Sequence, residues 1–449
     1  MGGCVSLHGG QRLAVVGAAC RFADIENFEE FVALIGNGGR TVGEIPDSRV
    51  SLFPDSDLVA SPEFVKFGAY LKDPTLFDAE VFGITENAAR YMPPEARILL
   101  ELTWSALEHA GLPPLSLSGT DTGVFVACAA SEYHRLLRVA DHPGSESAKM
   151  SMRGLIANRI SNVFGLRGPS VVLDSAQSSG MAALGAAYQS LLNAEVSVAL
   201  VCGANIILDA SSTISLNRLG ALSPSGCGMV LDSTADGYVR GEGGVVLVLK
   251  RYDDARRCGD RILGTIDGVS NTYESADTDL VSPSVAGQIR AMERLYSGGL
   301  DRRAVEYVEM HGTGTRVGDS VEARALGEFY GRARHADAPL AVGSVKANIG
   351  HLEGAAALAG VLKGLVCLQK GIIAGAPTRD RLRDDVDLPA LNLAVQQEST
   401  LWSPSAGRRS LAVSSFGLGG SNGHALLSSD AEKLSNEQNS TYLATAAAV

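Results

Sequence analysis

The sequence predicts an α/β protein in which strands and helices alternate along the chain. Continuous apolar runs such as "TGVFVAC" (122–128) and "VSVALVCGAN" (196–205) are typical of buried parallel strands, because strands covered on both faces do not alternate between apolar and polar residues. Segments with helical spacing lie between these runs, and several are rich in alanine and glycine. This alternation predicts parallel sheets covered by helices.

In the first half of the chain, a predicted strand precedes a series of predicted helices. The run "RLAVVGAACRF" (12–22) is apolar and ends near small residues, which is typical of a buried first strand. The predicted helix at 86–111 is interrupted by Pro93-Pro94 and closed by Gly111, since proline removes a helical hydrogen bond and glycine favours helix termination. Helical spacing predicts helices over 27–39, 86–111, 151–165 and 182–195.

The second half repeats this alternation. Residues 287–300 have the spacing of an amphipathic helix, and "VEYVEMHGTGT" (305–315) is typical of a strand that runs into a polar loop. The segment "HLEGAAALAGVLKGLVCLQKG" (351–371) predicts a second helix rich in small residues. Residues 410–429 predict a strand, a glycine loop and a closing strand.

Both ends of the chain are predicted to be flexible. Residues 1–10 are rich in glycine, and residues 429–449 are polar and rich in alanine. The start "MGGCVS" also matches the pattern for N-terminal myristoylation, with Cys4 as a candidate second acylation site. Only a eukaryotic host would use that pattern.

Composition and charge exclude several classes of function. The chain has 449 residues, 45% of them hydrophobic, and a net charge of −12, so it lacks the basic surface that nucleic-acid binding requires. Its longest apolar stretches are interrupted by polar residues, which argues against a membrane span. The eight histidines and seven cysteines show no metal-ligand spacing, so we expect no metal site. Scattered thiols are typical of a reducing compartment and predict a cytoplasmic protein.

The segment "VVLDSAQSSGMAAL" (171–184) predicts a strand, a sharp turn and the start of an alanine-rich helix. Such an elbow usually carries a catalytic nucleophile, because the turn exposes one side chain and the helix N-terminus stabilises negative charge. The prominent side chain here is Gln177, and a carboxamide is not a nucleophile. Ser175, Ser178 and Ser179 lie beside it, but without the G-x-S-x-G pattern a serine hydrolase is disfavoured.

Two histidines and a lysine lie in loops that follow predicted strands. His311 lies in "EMHGTGTRVGD", His351 lies in "SVKANIGHLEG", and Lys346 is five residues before His351. Loops at the carboxyl ends of strands are where α/β proteins place functional groups. Two imidazoles and an ammonium group can hold a thioester or carboxylate oxygen and stabilise an enolate. Taken alone, a histidine in a loop more often has a structural hydrogen-bonding role.

Together these segments resemble the β-ketoacyl synthase family, specifically the ketosynthase domains of modular polyketide synthases. The resemblance runs from "AVVGAACRF" to "GHALL" and covers nearly the whole chain. The segments that carry it are "DSAQSSG", "YVEMHGTGTRVGDSVEA", "VGSVKANIGHLEGAA", "VSSFGLGGSNGH", "ANRISNVFGLRGPS" and "ADGYVRGEGG".

The resemblance implies the thiolase fold, in which two βαβαβ halves pack into five layers in the order α-β-α-β-α. It assigns residues 11–262 to an N-terminal half that contains the elbow, and residues 263–428 to a C-terminal half that contains both histidines. It also implies a substrate delivered on the phosphopantetheine arm of an acyl carrier protein, with no bound cofactor or metal.

Residue by residue, the resemblance assigns roles within the site. His311 and His351 match the two active-site histidines, and Lys346 matches the lysine that supports the second one. The backbone amides of Gln177 and Leu418 lie where the oxyanion hole is expected, and Leu418 matches the gate position of the glycine loop.

Four further residues are expected to support the site. Asp319 and Glu322 lie in the segment after His311 and are expected to orient it. Phe416 and Asn422 flank the glycine loop. We expect all four to have structural rather than chemical roles.

The sequence departs from the family pattern at the elbow, where Gln177 matches the cysteine that carries the growing acyl chain. Without that thiol no acyl-enzyme forms, so chain elongation is excluded. Cys128, Cys202 and Cys227 lie in segments where the family has no nucleophile, so none of them is expected to substitute for it.

The resemblance is therefore closest to the glutamine-bearing, ketosynthase-like decarboxylases of loading modules. These imply conversion of malonyl- or methylmalonyl-carrier protein to an acetyl or propionyl starter unit. The carboxamide of Gln177 resembles an acylated cysteine in shape and polarity. We expect the pocket near Leu418 and Met310 to select between the two substrates.

Two alternatives remain. One is a non-catalytic partner similar to the chain-length factors of type II polyketide systems, favoured by a chain that ends close to the ketosynthase boundaries and by atypical segments such as "MPPEARILLE". The intact set of His311, Lys346 and His351 argues against it. The other is an engineered cysteine-to-glutamine variant of an elongating synthase, against which the atypical Ser175 and Gly180 argue.

The expected partners follow from this chemistry. We expect a homodimer, or a heterodimer with a ketosynthase if the protein is a non-catalytic partner. Carrier proteins are acidic, so docking on an acidic chain requires a local basic patch. The candidates are "KRYDDARR" (250–257) and Arg302-Arg303, which are equally compatible with ordinary solvated charges.

Overall fold

The computed structural model describes residues 11–129, 131–139, 152–274, 282–377, 381–402 and 408–430. The strands are β1 Leu13–Phe22, β2 Gly43–Glu44, β3 Phe67–Ala69, β4 Gly123–Ala127, β5 Ser170–Leu173, β6 Val198–Asn205, β7 Arg240–Gly241, β8 Gly243–Arg251, β9 Gly264–Tyr273, β10 Tyr307–Glu309, β11 Leu340–Gly343, β12 Ile372–Ile373, β13 Leu393–Val395, β14 Thr400–Leu401, β15 Ser410–Gly417 and β16 Ser421–Ser428. The α-helices are α1 Phe28–Gly36, α2 Asp47–Val50, α3 Glu86–Arg90, α4 Pro94–His109, α5 Tyr133–Val139, α6 Leu155–Phe164, α7 Ser179–Leu192, α8 Ala210–Arg218, α9 Tyr252–Cys258, α10 Val285–Tyr296, α11 Arg316–Phe329, α12 Lys346–Ile349 and α13 Ala356–Lys370.

The main sheet is built from an internal repeat. In the first half of the chain, neighbouring strands follow the order β1-β8-β6-β4-β5. In the second half, the equivalent strands follow the order β9-β16-β15-β10-β11. Each half thus pairs its five strands in the same sequence. The second repeat therefore begins at β9, directly after residue 263.

The helices form three layers around these two sets of strands. The central layer consists of α7 and α13, which pack against each other and belong to one hydrophobic core with the inner faces of both sets. Helices α4, α6 and α9 cover the outer face of the first set. Helices α10 and α11 cover the outer face of the second set. The predicted five-layer order of helices and strands follows from this packing.

The sequence predicted parallel sheets, whereas the main sheet contains both parallel and antiparallel pairs. The pairs β4–β5, β4–β6, β10–β11 and β10–β15 are parallel, whereas β1–β8, β6–β8, β9–β16 and β15–β16 are antiparallel. The short glycine loop between β15 and β16 requires antiparallel pairing, because parallel strands need a long crossover. Antiparallel pairing of β1 with β9, from Leu13 opposite Ile266 to Val15 opposite Gly264, joins the two sets into one sheet.

The described structure continues beyond the predicted end of the second half. Ser429 and Asp430 were assigned to the tail, but both are buried. The backbone N–H of Ser429 donates to the carbonyl oxygen of Arg409, and the hydroxyl of Tyr252 donates to Asp430 Oδ1 at 2.9 Å. Residues 1–10 and 431–449, the remainder of the predicted flexible ends, lie outside the described residues. Within the described ranges, no helix is long and apolar enough to cross a membrane.

Candidate active site

The elbow forms as the sequence predicts, between β5 and α7. Ala176 takes a left-handed conformation with φ of 55°, which reverses the chain in one residue at a cost in strain. The Ser179 hydroxyl stabilises this turn by donating to the carbonyl oxygen of Ala176 at 2.6 Å and accepting from the Ser175 N–H at 2.9 Å. Helix α7 begins at Ser179, so Gln177 lies at the tip of the turn, where it lines a large cavity.

The carboxamide of Gln177 is held by the glycine loop that follows β15. Its Oε1 accepts a hydrogen bond from the backbone N–H of Leu418 at 2.8 Å, and the Ser415 hydroxyl donates to its backbone carbonyl at 3.2 Å. The loop can approach this closely because residue 417 is glycine, as a Cβ there would lie 2.4 Å from the carbonyl oxygen of Ser175. One donor of the predicted oxyanion hole is thus engaged by the side chain of Gln177 itself.

The cavity, with a volume of about 610 Å³, brings together most of the predicted site residues. Those that line it are Gln177, His311, His351, Phe416, Leu418 and Asn422. Lys346, Asp319 and Glu322 are buried behind the cavity wall. Met310, which was expected to shape the pocket, is instead buried in the core between β10 and the outer helices, because its side chain points to the opposite face from that of His311.

A backbone amide fixes the orientation of each histidine ring. Nδ1 of His311 accepts from the N–H of Phe416 at 3.3 Å, and Nδ1 of His351 accepts from the N–H of Glu353 at 2.8 Å. A neutral imidazole that accepts at Nδ1 carries its proton at Nε2. The two ring centres are 5.5 Å apart, so both Nε2–H groups are available as donors to one cavity.

Both imidazoles are held in the neutral form. Burial lowers the pKa of His311 well below its usual value, and the positive charge of Lys346 lowers it further. Burial, followed by the charges of Lys346, His311 and Arg240, lowers the pKa of His351 in the same way. The site therefore offers two neutral hydrogen-bond donors near neutral pH.

Lys346 supplies the site's charge without a direct ion pair in the described part of the chain. Burial lowers its pKa, although Glu309, Glu322 and Asp319 oppose this effect. Its predicted role was to support His351. In the structure its charge acts on both histidines.

Asp319 and Glu322 hold the backbone of the His311 loop rather than the imidazole. The carboxylate of Glu322 accepts from the N–H groups of His311 and Gly312 at 2.8 and 2.9 Å, and burial raises its pKa. Asp319 accepts from Gly314 at 3.2 Å and from Leu231 at 2.9 Å, and burial raises its pKa to about 6. The orienting role predicted for them is therefore indirect.

The matches to known families agree with this geometry. Residues 10–255 match the beta-ketoacyl synthase N-terminal domain, and residues 263–378 match the C-terminal domain of the same family. The chain belongs to the β-ketoacyl synthase family.

Curated relatives include polyketide synthases. The chain is 39% identical over 424 residues to a phenolphthiocerol/phthiocerol polyketide synthase of Mycobacterium bovis, covering 92% of this chain and 22% of that protein. It is 39% identical over 422 residues to 5-methyl-1-naphthoate synthase of Streptomyces sahachiroi, covering 92% of this chain and 24% of that protein. The chain thus spans less than a quarter of the length of these relatives.

Solved ketosynthase structures share the fold. The ketosynthase from module 6 of the bacillaene synthase of Bacillus subtilis 168 is 31% identical, with a TM-score of 0.85 over 93% of this chain and 72% of that one. The oxazolomycin ketosynthase domain OzmH KS7 of Streptomyces albus is 30% identical, with the same TM-score over 94% of this chain and 74% of that one. The predicted thiolase fold is confirmed.

In this ketosynthase fold, a buried ion pair that the sequence did not reveal supports the loop of His351. Glu353, whose N–H orients the His351 ring, has a left-handed backbone with φ of 45°. Arg240 Nε donates to Glu353 Oε1 at 2.7 Å, and Arg240 also binds the hydroxyls of Ser212 and Thr213. Arg240 lies more than a hundred residues from Glu353, so no local pattern could have paired them.

A second buried cluster, centred on Glu309, connects the segments that precede the two histidines. Lys363 on α13 binds Glu309 Oε2 at 2.9 Å, and Tyr307 donates to the same carboxylate at 2.6 Å. Glu309 Oε1 accepts from the N–H of Val345, which precedes Lys346. A lysine in the middle of the apolar and small residues of α13 was the available sequence signal for this cluster.

Asn422 lies in the cavity wall and holds it to neighbouring elements. Its Nδ2 donates to Glu274 Oε1 at 2.9 Å, and Glu274 Oε2 accepts from the Ser284 hydroxyl at 2.6 Å. These contacts tie the strand after the glycine loop to the end of β9 and the start of α10.

None of the three alternative thiols noted in the sequence lies in the cavity lining. Cys128, Cys202 and Cys227 are all buried. Burial raises the pKa of Cys202 to about 12 and that of Cys128 further still, which suppresses the reactive thiolate.

Neither predicted basic patch lines the cavity, and the first is largely neutralised by neighbouring carboxylates. In the first patch, Lys250 binds Asp260, and Arg251 and Arg257 bind Asp254. This patch begins with the last two residues of β8, whereas His351 contacts the chain just before the amino end of β8, roughly 25–30 Å away for a strand of this length.

The second patch lies at the end of β10 that is opposite to His311. Arg302 and Arg303 precede the amino end of β10, while His311 follows the carboxyl end. Arg302 packs over the ring of Phe329. Neither patch is therefore placed to hold a carrier protein at the cavity mouth.

Proposed function

We propose that this protein decarboxylates malonyl or methylmalonyl groups on an acyl carrier protein and yields acetyl or propionyl starter units for polyketide synthesis. The observation that carries the proposal is the combination of Gln177 at the elbow with two intact Nε2–H donors in one cavity. The first removes acyl transfer to the protein. The second retains the groups that decarboxylation needs.

The position of Gln177 supports the loss of elongation. A carboxamide is not acylated by a thioester, so no acyl-enzyme accumulates. Its Oε1 already accepts from the Leu418 N–H, which is the interaction that the carbonyl oxygen of an acylated cysteine would make. The pocket is thus held in the form that follows acylation.

In the proposed step, the thioester carbonyl oxygen accepts hydrogen bonds from Nε2–H of His311 and His351. The bond between the α-carbon and the carboxylate breaks, its electron pair forms the thioester enolate, and CO2 leaves. The neutral donors stabilise the charge that develops on oxygen. A proton from water then adds to the α-carbon, which completes the acetyl or propionyl thioester.

We also propose a homodimer. The strand β5 is at an edge of the main sheet, and Val171 on it is exposed. An edge strand with an exposed apolar side chain is suited to pairing with a second copy. The buried cysteines Cys20 and Cys202 fit a reducing compartment, so we assign the reaction to the cytoplasm.

The direct test is CO2 release from malonyl- and methylmalonyl-pantetheine in deuterated water. We expect CO2 and an acyl product that carries one deuterium at the α-carbon. The variants His311→Ala and His351→Ala should each lose about 100-fold in kcat, the usual cost of removing one such donor. Undiminished turnover in both variants would show that the histidines are structural. Absence of CO2 from both substrates with the unaltered protein would instead favour the role of a non-catalytic partner.

A further inference from the structure

The mouth of the cavity is formed by exposed apolar residues. Leu219, Val317 and Leu418 line the cavity and have exposed fractions of 55%, 65% and 48%. Large apolar side chains with this exposure on the rim of one cavity indicate contact with a ligand or partner. We call these three residues the apolar rim.

Arg316 lies beside the apolar rim. It is exposed, precedes Val317 as the first residue of α11, and lines the same cavity. It is the one arginine or lysine among the described cavity-lining residues, where the acidic residues are Asp236 and Glu274.

The acidic groups around Arg316 are already engaged. Glu274 holds Asn422 and Ser284, and Asp236 accepts from Ser223 and Ser225.

Asp385, whose pKa the Arg316 charge helps to lower, is bound by Arg383 at 2.7 Å. Arg383 also donates to the carbonyl oxygen of Arg316 at 2.9 Å, and so fixes its backbone. Among the described residues, none forms an ion pair or hydrogen bond with the guanidinium group of Arg316, which lines the cavity mouth.

We infer that Arg316 binds the phosphate of the phosphopantetheine arm, with Val317 contacting the adjacent gem-dimethyl group. This inference rests on the proposed function and identifies where the arm is anchored. The arm carries its thioester at one end and its phosphodiester at the other, with the dimethyl carbon next to the phosphate end. The cavity has the same order of chemistry, with two imidazoles at its inner end and an apolar residue beside a cation at its mouth.

The physical chemistry of the two groups fits. Guanidinium binds phosphate oxygens through paired N–H donors, which makes arginine well suited to phosphate recognition. The phosphate keeps its negative charge throughout the working pH range, so the interaction does not depend on the protonation of the substrate. Because the site is exposed, salt should weaken it.

The experiment compares two ligands that differ only in the phosphate, 4′-phosphopantetheine and pantetheine. Their dissociation constants are measured by calorimetry with the unaltered full chain, with Arg316→Ala, and with Arg324→Ala as a matched control. Arg324 is exposed on the same helix, about 12 Å farther along, and does not line the cavity. The ratio of KM values for the two malonyl thioesters is measured in parallel.

We expect phosphate to improve binding about two- to fivefold in the unaltered protein and in Arg324→Ala, which is the upper part of the range for an exposed ion pair. Arg316→Ala should reduce this ratio to near one, and Arg316→Lys should restore part of it. A ratio unchanged by Arg316→Ala, or a ratio near one in the unaltered protein, would overturn the inference. Binding is measured without turnover, so it tests the inference even if the protein releases no CO2. A failure to release CO2 would contradict the proposed function alone.

Discussion

At the scale of single residues, the chemistry of the site depends on which nitrogen of each histidine carries its proton. Backbone N–H groups of Phe416 and Glu353 occupy the Nδ1 atoms of His311 and His351. Both protons are thus directed from Nε2 into the cavity. Under the proposed function, the glutamine at the elbow removes covalent catalysis but leaves these two donors in place.

Lys346 gives the reaction a predictable pH dependence. Burial lowers its pKa to about 8, so the ammonium charge is present below that pH and is lost as pH rises through it. Because this charge favours the developing enolate, kcat should fall above about pH 8. The two histidines should add no further change near pH 6.5, since burial holds their pKa values well below the usual range.

The measurement is kcat between about pH 6 and pH 9 for the unaltered protein and two variants. Lys346→Arg should move the alkaline fall beyond this range, because guanidinium stays charged. Lys346→Met should lower kcat and abolish the fall. An alkaline fall that persists unchanged in Lys346→Met would assign it to another group.

The residues of the site were predictable from the sequence where several functional side chains lie within one short segment. The elbow, the two histidine loops and the glycine loop each carry their functional residues within a few positions. The structure brings these four segments to one cavity. The prediction that Met310 shapes the pocket was wrong, because adjacent residues at the end of a strand point to opposite faces. The pairing of the Leu418 N–H with Gln177 depends on a side-chain rotamer, which sequence does not specify.

At the scale of elements, the loops that carry the histidines are held by buried carboxylates. Glu322 binds two backbone N–H groups of the His311 loop. Glu353 orients His351 through its own N–H and is held in a left-handed conformation by Arg240. Each loop therefore depends on a charged residue that does not line the cavity.

Removal of Arg240 should affect stability and catalysis together. Arg240→Met leaves the buried carboxylate of Glu353 without its partner, which typically costs about 3–5 kcal/mol. It should also release the strain at Glu353 and disorder the ring of His351, which lowers kcat more than it raises KM. Thermal midpoints and decarboxylation kinetics are the readouts.

Arg218→Ala is the matched control, because Arg218 pairs with Glu63 in an exposed bridge at 2.6 Å. An exposed pair contributes only about 0–1 kcal/mol, so its removal should leave the thermal midpoint almost unchanged. Equal losses of stability in the two variants would contradict a supporting role for the buried pair.

At the scale of the whole molecule, the two repeats meet at the central helices α7 and α13. The elbow is at the amino end of α7, and the His351 loop leads into α13. Close packing of these helices therefore sets the distance between Gln177 and the histidines. Small residues make this packing possible, as the alanine-rich sequence of both helices predicted.

Gly180 tests this packing. A Cβ at Gly180 would lie 2.9 Å from the Cβ of Ala357 on the facing helix. Gly180→Ala should therefore destabilise the protein by about 1–3 kcal/mol through overpacking. Gly36→Ala is the control, because a Cβ at the end of α1 meets no atom within 4 Å. It should be neutral or stabilising by up to about 1 kcal/mol. A stabilised Gly180→Ala variant would show that the helices are not in close contact.

The fold as a whole was more predictable than its connections. Alternating strands and helices indicated an α/β protein, and strands such as β4 and β6 are parallel as their apolar runs predicted. The antiparallel strands β1, β8, β9 and β16 were not distinguished, because strands buried on both faces have the same composition in either direction. Contacts between distant segments, such as β1 with β9, leave no trace in local periodicity.

The central claim is that the site decarboxylates without being acylated. The most direct measurement is intact-mass analysis of malonyl- and methylmalonyl-carrier protein incubated with the unaltered chain, recording both proteins. The account predicts that the carrier-bound acyl group loses CO2, that the chain gains no mass, and that Gln177→Ala abolishes the loss. Gln177→Cys should gain an acyl adduct when given an acyl thioester. Carrier proteins that stay unchanged, or an acyl adduct on the unaltered chain, would contradict the account.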